Sequence, residues 1–183
     1  MEELRGQLLV ASSDLVDPNF LRSVVLIVQH GPDGALGLVL NRRTSATLKQ
    51  VWQQVGESSC DRDDPLYLGG PVSGPLMAVH TNSALSEVEV AEGLFFTASA
   101  DGLRQLATSV EADVRFFVGH AGWGPGQLES EIEQGSWLRD LADVDTAFSP
   151  PDDLWLRVTR RIVGTTLIST LNIKHVPPDP NLN

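Results

Sequence analysis

The residues able to do chemistry in this 183-residue chain are few and scattered. His30, His80 and His120 each end an apolar run. Three such strand ends could converge on a metal, but no pair has a ligand spacing such as HxH or HxxxH. His175 lies in the tail, and we read no metal site and no cofactor site. Glu129 and Glu133 lie four apart on one helix face, the spacing of an acid/base pair and equally of a solvated acidic face. Arg42 and Arg43 directly follow a strand, as anion ligands or as rim charges. Cys60 has Asp61, Asp63 and Asp64 around it, which raise a thiol pKa, so it reads as a free surface thiol. GxSxG is absent, and Ser73 in PVSGP reads as a turn residue rather than a nucleophile.

The densest concentration of unusual residues is Arg115–Leu141, RFFVGHAGWGPGQLESEIEQGSWLRDL. Val114–Val118 predicts a buried strand of β-branched and aromatic residues. Gly119, Gly122, Gly124 and Gly126 predict a tightly folded loop around Trp123. Pro125 suits a first helical turn, and a helix from Gln127, with Leu128 and Ile132 on one side, stops at Gly135. Strand, glycine loop and helix is also the layout of phosphate sites. The stretch lacks Gly-Lys-Ser/Thr and GxGxxG, and Glu129 near the helix start repels phosphate. Two further readings stand beside that one: a structural elbow, and a surface for a partner or another ligand. Trp123 either packs on a neighbouring sheet or projects as a contact residue. Trp52 and Trp155 fall on helix stripes and read as core, and Trp137 as packed beneath its loop.

The elements holding these residues alternate short strands with three main helices. Strands are predicted at Gly6–Ser12, Ser23–His30, Ala35–Asn41, Leu66–Leu68, Leu76–His80, Val88–Val90 and Leu94–Ala98. Gly37 inside a strand predicts a bulge or close backbone packing. Helices are predicted near 45–55, 99–111 and 151–163, capped by Thr44 or Ser45, by Ser99, and closed by Gly56 and Gly164. The stretch 56–65 reads as loop and Ala142–Ser149 as an irregular connection. Thr165–Leu171 reads as a last strand or ordered tail, and 173–183 as disordered.

Length fits one domain, and 42% hydrophobic residues suffice for an ordinary core. No apolar run is long enough to span a membrane, and the acidic start does not resemble a signal peptide, so a cytosolic protein is expected. One cysteine excludes an internal disulfide. Thirteen basic against 24 acidic residues give a net charge of −11, which repels nucleic acid. Arg157, Arg160 and Arg161 form the only basic cluster.

Several segments together resemble the YqgE/AlgH family: GQLLVAS with DPNFLRSVVLIVQH, GALGLVLNR, LYLGGPV, and FFVGHAGWGPGQLESEI with GSWL. They occur in the family's order from about Gly6 to Trp155. The family usually has Tyr where this chain has His120. The resemblance implies a bacterial cytosolic protein with a single α+β domain over 1–172. That domain is a small closed β-barrel and a branching mixed sheet, surrounded by helices. It implies no catalytic residue, and it carries a proposal of transcriptional regulation. Its signature positions include Asn19, Asn41, Arg42, Gly69, Gly70, Pro71, Gly119, Gly122, Trp123, Gln127, Glu129 and Trp137.

The expected function is therefore non-enzymatic regulation through an unknown protein or small-ligand partner, without direct nucleic-acid binding. The alternative is an enzyme with its site near Gly119–Gln127. The candidate surface is formed by Asn41–Arg42, Gly69–Pro71 and Gly119, Gly122, Trp123, Gln127 and Glu129. In each segment glycine or polar residues directly follow an apolar strand.

Overall fold

The computed structural model describes residues 3–54, 60, 62–109 and 111–170. Ten strands and five helices follow one another as β1 (Gln7–Ala11), β2 (Val24–Gly31), β3 (Gly34–Val39), β4 (Arg43–Thr47), α1 (Leu48–Gln54), β5 (Pro65–Leu68), β6 (Val72–His80), β7 (Val88–Ala91), β8 (Leu94–Thr97), α2 (Ala100–Thr108), β9 (Val114–Trp123), α3 (Gln127–Glu133), β10 (Trp137–Leu141), α4 (Val144–Phe148) and α5 (Leu154–Thr170). A short 3₁₀ turn, Ser83–Leu85, sits between β6 and β7. The main path of the curled sheet is β10-β1-β2-β3-β9-β6-β8-β7, with β5 on β9 and β4 on β5 as a branch. The α+β class, the single domain and the branching mixed sheet expected from the resemblance are all present.

β9 is the element on which the sheet branches. Its first half pairs parallel with β5, Leu66 opposite Phe116 and Leu68 opposite Val118. Its second half pairs antiparallel with β3, Leu36 opposite Gly122. β6 runs antiparallel along β9 from His80 opposite Val114 to Val72 opposite His120. Successive side chains of a strand face opposite ways, and both Phe116 and Phe117 are fully buried. Phe116 joins Leu48, Trp52, Leu103 and Leu106 in the core under α1 and α2. Phe117 joins Leu8, Leu26, Leu40 and Val158 in the core beneath α5.

Several expectations need correction. The strand begun at Val114 does not give way to a glycine loop at Gly119 but continues to Trp123. Glycine favours tight turns without forbidding an extended ladder, and β3 and β6 supply the partners that keep it extended. Helix α1 starts at Leu48, not Ser45, and Arg43–Thr47 is a strand. Thr47 N–H donates to Gln50 Oε1, and Gln50 N–H donates to Thr47 Oγ1. This reciprocal capping box places the cap at Thr47. Val55 and Gly56, where that helix was expected to end, lie outside the described residues, as does the tail 173–183. β6 begins at Val72 and passes Gly74–Pro75 at a register shift, where the missing proline donor does no harm. Ala142–Ser149 holds α4, capped by Asp143, which accepts from Thr146 N–H at 2.7 Å. α5 runs through Gly164, which does not take the left-handed conformation that ends helices.

Among the described residues His80 is the one histidine buried as a whole residue. It is fully buried, its ring 6.2 Å from Phe95, and neither ring nitrogen has a hydrogen-bond partner. Burial lowers its pKa below the usual imidazole value. The unfolded chain then binds a proton that the native protein refuses, so stability is full above the unfolded pKa and falls below pH ~6.5. Unfolding free energy should drop by up to ~1.4 kcal/mol per pH unit as pH falls below that point. His80→Leu should flatten this limb in urea titrations between about pH 6.5 and 5. An unchanged slope in the variant contradicts the assignment.

Candidate functional site

Asn41–Arg42, Gly69–Pro71 and Gly119 meet where β9 changes partner. Asn41 closes the turn after β3. Its Oδ1 accepts from Val24 N–H at 3.0 Å, and its Nδ2 donates to the Arg22 carbonyl at 2.9 Å. Those two bonds hold Arg22, the one non-glycine residue with positive φ among the described residues (54°). Such a conformation costs free energy and persists where surroundings over-determine it. The Arg42 carbonyl accepts from Leu68 N–H at 2.8 Å, and its guanidinium donates to the Pro18 carbonyl at 3.2 Å. Burial lowers the Arg42 pKa from its usual value, and Asp17 opposes that shift. Gly69 donates to the Val118 carbonyl at 3.0 Å and accepts from Val39 N–H at 2.8 Å, so it stitches β3 to β9.

The glycines allow three backbones to touch. A Cβ on Gly69 would collide with the Gly119 carbonyl oxygen, and one on Gly70 with the His120 backbone. Gly119 itself has φ 71°, a left-handed conformation. Beside this junction lies a cleft of about 230 Å³ lined by Leu68, Gly70, Pro71, Val72, Gly74 and Gly119. Leu68 and Val72 are 40% and 43% exposed, which leaves an apolar rim in water. His120 lies between Gly74 and Gly122 on this face, with its Nδ1 buried and unpartnered.

Trp123, Gln127 and Glu129 behave differently. Trp123 is 5% exposed, so the flat contact face offered by the sequence is covered. Phe20 stacks on it at 5.9 Å and 24°, and Trp137 meets it edge-on at 6.0 Å. Both indole N–H groups donate to one oxygen, Glu131 Oε2, at 2.9 Å. Gln127 stays exposed but is bonded locally: its Oε1 accepts from Gly124 N–H and its Nε2 donates to Glu131 Oε1. Glu129 is not an exposed partner of Glu133 but bonds His30 Nε2 at 3.1 Å. His30 Nδ1 accepts from Leu4 N–H, which puts the ring proton on Nε2. Among the described residues no three His, Cys, Asp or Glu side chains gather as a metal site. Cys60 is half-buried, its thiol donating to the Arg62 carbonyl at 3.2 Å. Trp52 is buried, and Trp155 is half-buried with its N–H on the Ala11 carbonyl.

Sequence reasoning counted Glu131 only as part of the acidic face of its helix with Glu129 and Glu133, and Phe20 only as part of a loop, and so missed the role of both. It also missed Arg115, 6% exposed near the start of β9. An arginine inside the apolar run Val114–Val118 was the available signal, since a central strand leaves its side chains no route to water.

A model of the AlgH-like family matches residues 8–167. A UPF0301 protein of Myxococcus xanthus is 40% identical over 160 residues, covering 85% of this chain and 88% of that one. A UPF0301 protein of Thioalkalivibrio sulfidiphilus is 39% identical over 172 residues, covering 90% and 92%. The solution structure of the AlgH protein from Pseudomonas aeruginosa superposes with a TM-score of 0.75 at 30% identity, covering 96% of each chain. A crystal structure of a Corynebacterium diphtheriae protein gives 0.72 at 28% identity, covering 88% and 87%.

Proposed function

The chain belongs to the AlgH-like family, and from that premise we propose that it is a non-enzymatic binding protein whose contact surface is the strand junction around Gly69–Pro71 and Gly119. One observation carries this reading. The α3 carboxylates nearest the glycine stretch are committed to the scaffold, and the exposed side chains at the junction are apolar apart from Ser73 and the neighbouring His120. Glu131 accepts from two indoles and Gln127, and Glu129 is bonded to His30. What stays open is Leu68 and Val72 beside glycine backbone. An apolar patch of this kind suits a partner or ligand better than bond chemistry. A regulatory role, including indirect regulation of transcription in the cytosol, follows the family resemblance. No helix among the described residues is long and apolar enough to cross a membrane.

Leu68→Asp and Val72→Asp test the reading. Each charge enters a site that is already partly wet, so stability should change by less than ~1 kcal/mol. Capture from a cell extract should return a partner or ligand with the wild type and lose it with both variants. Undiminished capture by both variants contradicts the surface. An enzyme with its site at Gly119–Gln127 should instead turn over a captured ligand and stop on Glu129→Gln.

Direct binding to duplex DNA is not part of this reading. Arg157 pairs with Asp153 at 3.2 Å and Arg161 with Asp140 at 2.7 Å, so two arginines of the basic cluster are already neutralised. At physiological salt the dissociation constant for duplex DNA should be weaker than ~100 μM, the edge of ordinary non-specific binding. A micromolar, salt-dependent affinity lost on replacing Arg157, Arg160 and Arg161 contradicts this.

A further inference from the structure

We propose that Arg115 and Arg62 form a binding site for a single carboxylate group, in the cleft between β5, the start of β9 and α4. The cleft holds about 230 Å³ and is lined by Arg62, Asp64, Pro65, Tyr67, Asp113, Val114, Arg115 and Phe148. The inference is independent of the strand-junction surface.

Arg115 is a buried cation that has no carboxylate partner among the described residues. Its Nη1 donates to the Leu40 carbonyl and its Nη2 to the Ser149 carbonyl, both at 2.9 Å. Its guanidinium lies over the Tyr67 ring, 4.4 Å from the centroid. Guanidinium carries five N–H donors, so these bonds leave three uncommitted. Among the described residues its Nε makes no hydrogen bond, and it is not one of the buried polar atoms left without a partner, so that nitrogen is open to the cleft the side chain lines. Burial lowers the Arg115 pKa from its usual value, with Tyr67 opposing, yet guanidinium stays charged in proteins. A buried charge left without a counter-charge is costly, and an incoming anion removes that cost.

The neighbouring charges define the anion. Arg62 donates from Nε to Asp64 at 2.7 Å and from Nη1 to the Ser109 and Ala112 carbonyls. Its Nη2 has no partner among the described residues, and the side chain lines the same cleft. Asp64 thus balances Arg62, and Arg115 alone remains uncompensated inside. Asp113 is exposed at the rim, and no hydrogen bond involves its side chain among the described residues. One negative charge neutralises the interior, and a dianion meets Asp113. A planar carboxylate also matches the guanidinium fork better than a tetrahedral group. Tyr67 and Phe148 also line the cleft, whose surface is mainly polar, so a small carboxylate fits, or the acidic end of a larger ligand.

The test is titration of the full-length protein with sodium benzoate at constant ionic strength, following side-chain Nε–H resonances of arginine by NMR. Saturable movement of the Arg115 resonance at millimolar benzoate is expected, with neutral benzamide inert. Asp113→Asn should tighten binding by roughly threefold, the effect of one partly screened charge. Arg115→Lys should weaken it by roughly tenfold or more through loss of the planar fork. Asp113→Asn keeps the test open should Arg115→Lys fail to fold. No saturable shift by about 50 mM benzoate, binding of inorganic phosphate as tight as benzoate, or no response to Asp113→Asn overturns the proposal.

Discussion

Gly69→Ala is expected to lower the unfolding free energy by at least ~3 kcal/mol, the range of severe overpacking. The added methyl meets the Gly119 carbonyl oxygen, and Leu38 Cδ2 at 2.9 Å. Leu38 can rotate away. The carbonyl belongs to β9 at the point where its neighbour changes from β5 to β3, and moving it disturbs both ladders. Gly119→Ala should cost a similar amount, because φ is 71° and the new methyl lies 2.8 Å from the Val72 carbonyl oxygen. Gly164→Ala is the control with the opposite sign. It lies inside α5, and a methyl added there meets no atom within 4 Å, so it should stabilise by ~0.5–1 kcal/mol. Urea unfolding at unchanged m-value reads all three. A Gly69→Ala protein within ~1 kcal/mol of the wild type places the three backbones further apart than described.

What was legible in the sequence followed from local rules. The hairpin of β2 and β3, the Ser99 cap of α2 and the stop of α3 at Gly135 each follow from a few adjacent residues. Ser99 does accept from Gly102 N–H, and Gly135 does take a positive φ of 78°. The expected convergence of Asn41–Arg42, Gly69–Pro71 and Gly119–Gln127 on one sheet edge is met only in part: Arg42 bonds Leu68 beside Gly69, Gly69 meets Gly119, and that contact lies inside the sheet, with Gly69 bonded to both β3 and β9. What was not legible depends on non-local partners. Gly119–Trp123 looks like a loop because glycine lacks β preference, and only β3 and β6 on either side make it a strand. Trp123 looks unprotected between glycines, and Phe20, more than a hundred positions earlier, covers it. Glu131 looks like part of a solvated face, since nothing local shows two indole N–H groups aimed at one of its oxygens. The candidate surface therefore divides: Gly70, Pro71 and Gly119 line an open cleft, Asn41, Arg42 and Gly69 bond the junction together, Trp123 is buried, and Gln127 and Glu129 are bonded to Glu131 and His30.

Trp123→Ala is expected to destabilise by ~3–5 kcal/mol, as for other large buried aromatics. The indole fills a cluster with Phe20, Trp137, Leu128 and Val25, rings and branched side chains that cannot collapse into the gap. Part of the loss runs through Glu131, whose Oε2 accepts both indole N–H groups at 2.9 Å. Bonds to a charged acceptor contribute ~1.5–3 kcal/mol each when buried. The carboxylate is only half-buried, so Glu131→Ala should cost less than that sum, about 2–3 kcal/mol. A double-mutant cycle separates packing from polar anchoring. Trp123→Phe keeps a ring and removes one N–H, so Glu131→Ala should cost at least ~0.5–1 kcal/mol less in that background. Because α3 carries Glu131 and β10 carries Trp137, loss of the carboxylate should also raise amide exchange along α3 before the rest of the domain. If Trp123→Ala instead costs less than ~1 kcal/mol, the ring is not packed as described. The glycine-flanked tryptophan then returns as a contact residue, to be tested against whatever the junction captures.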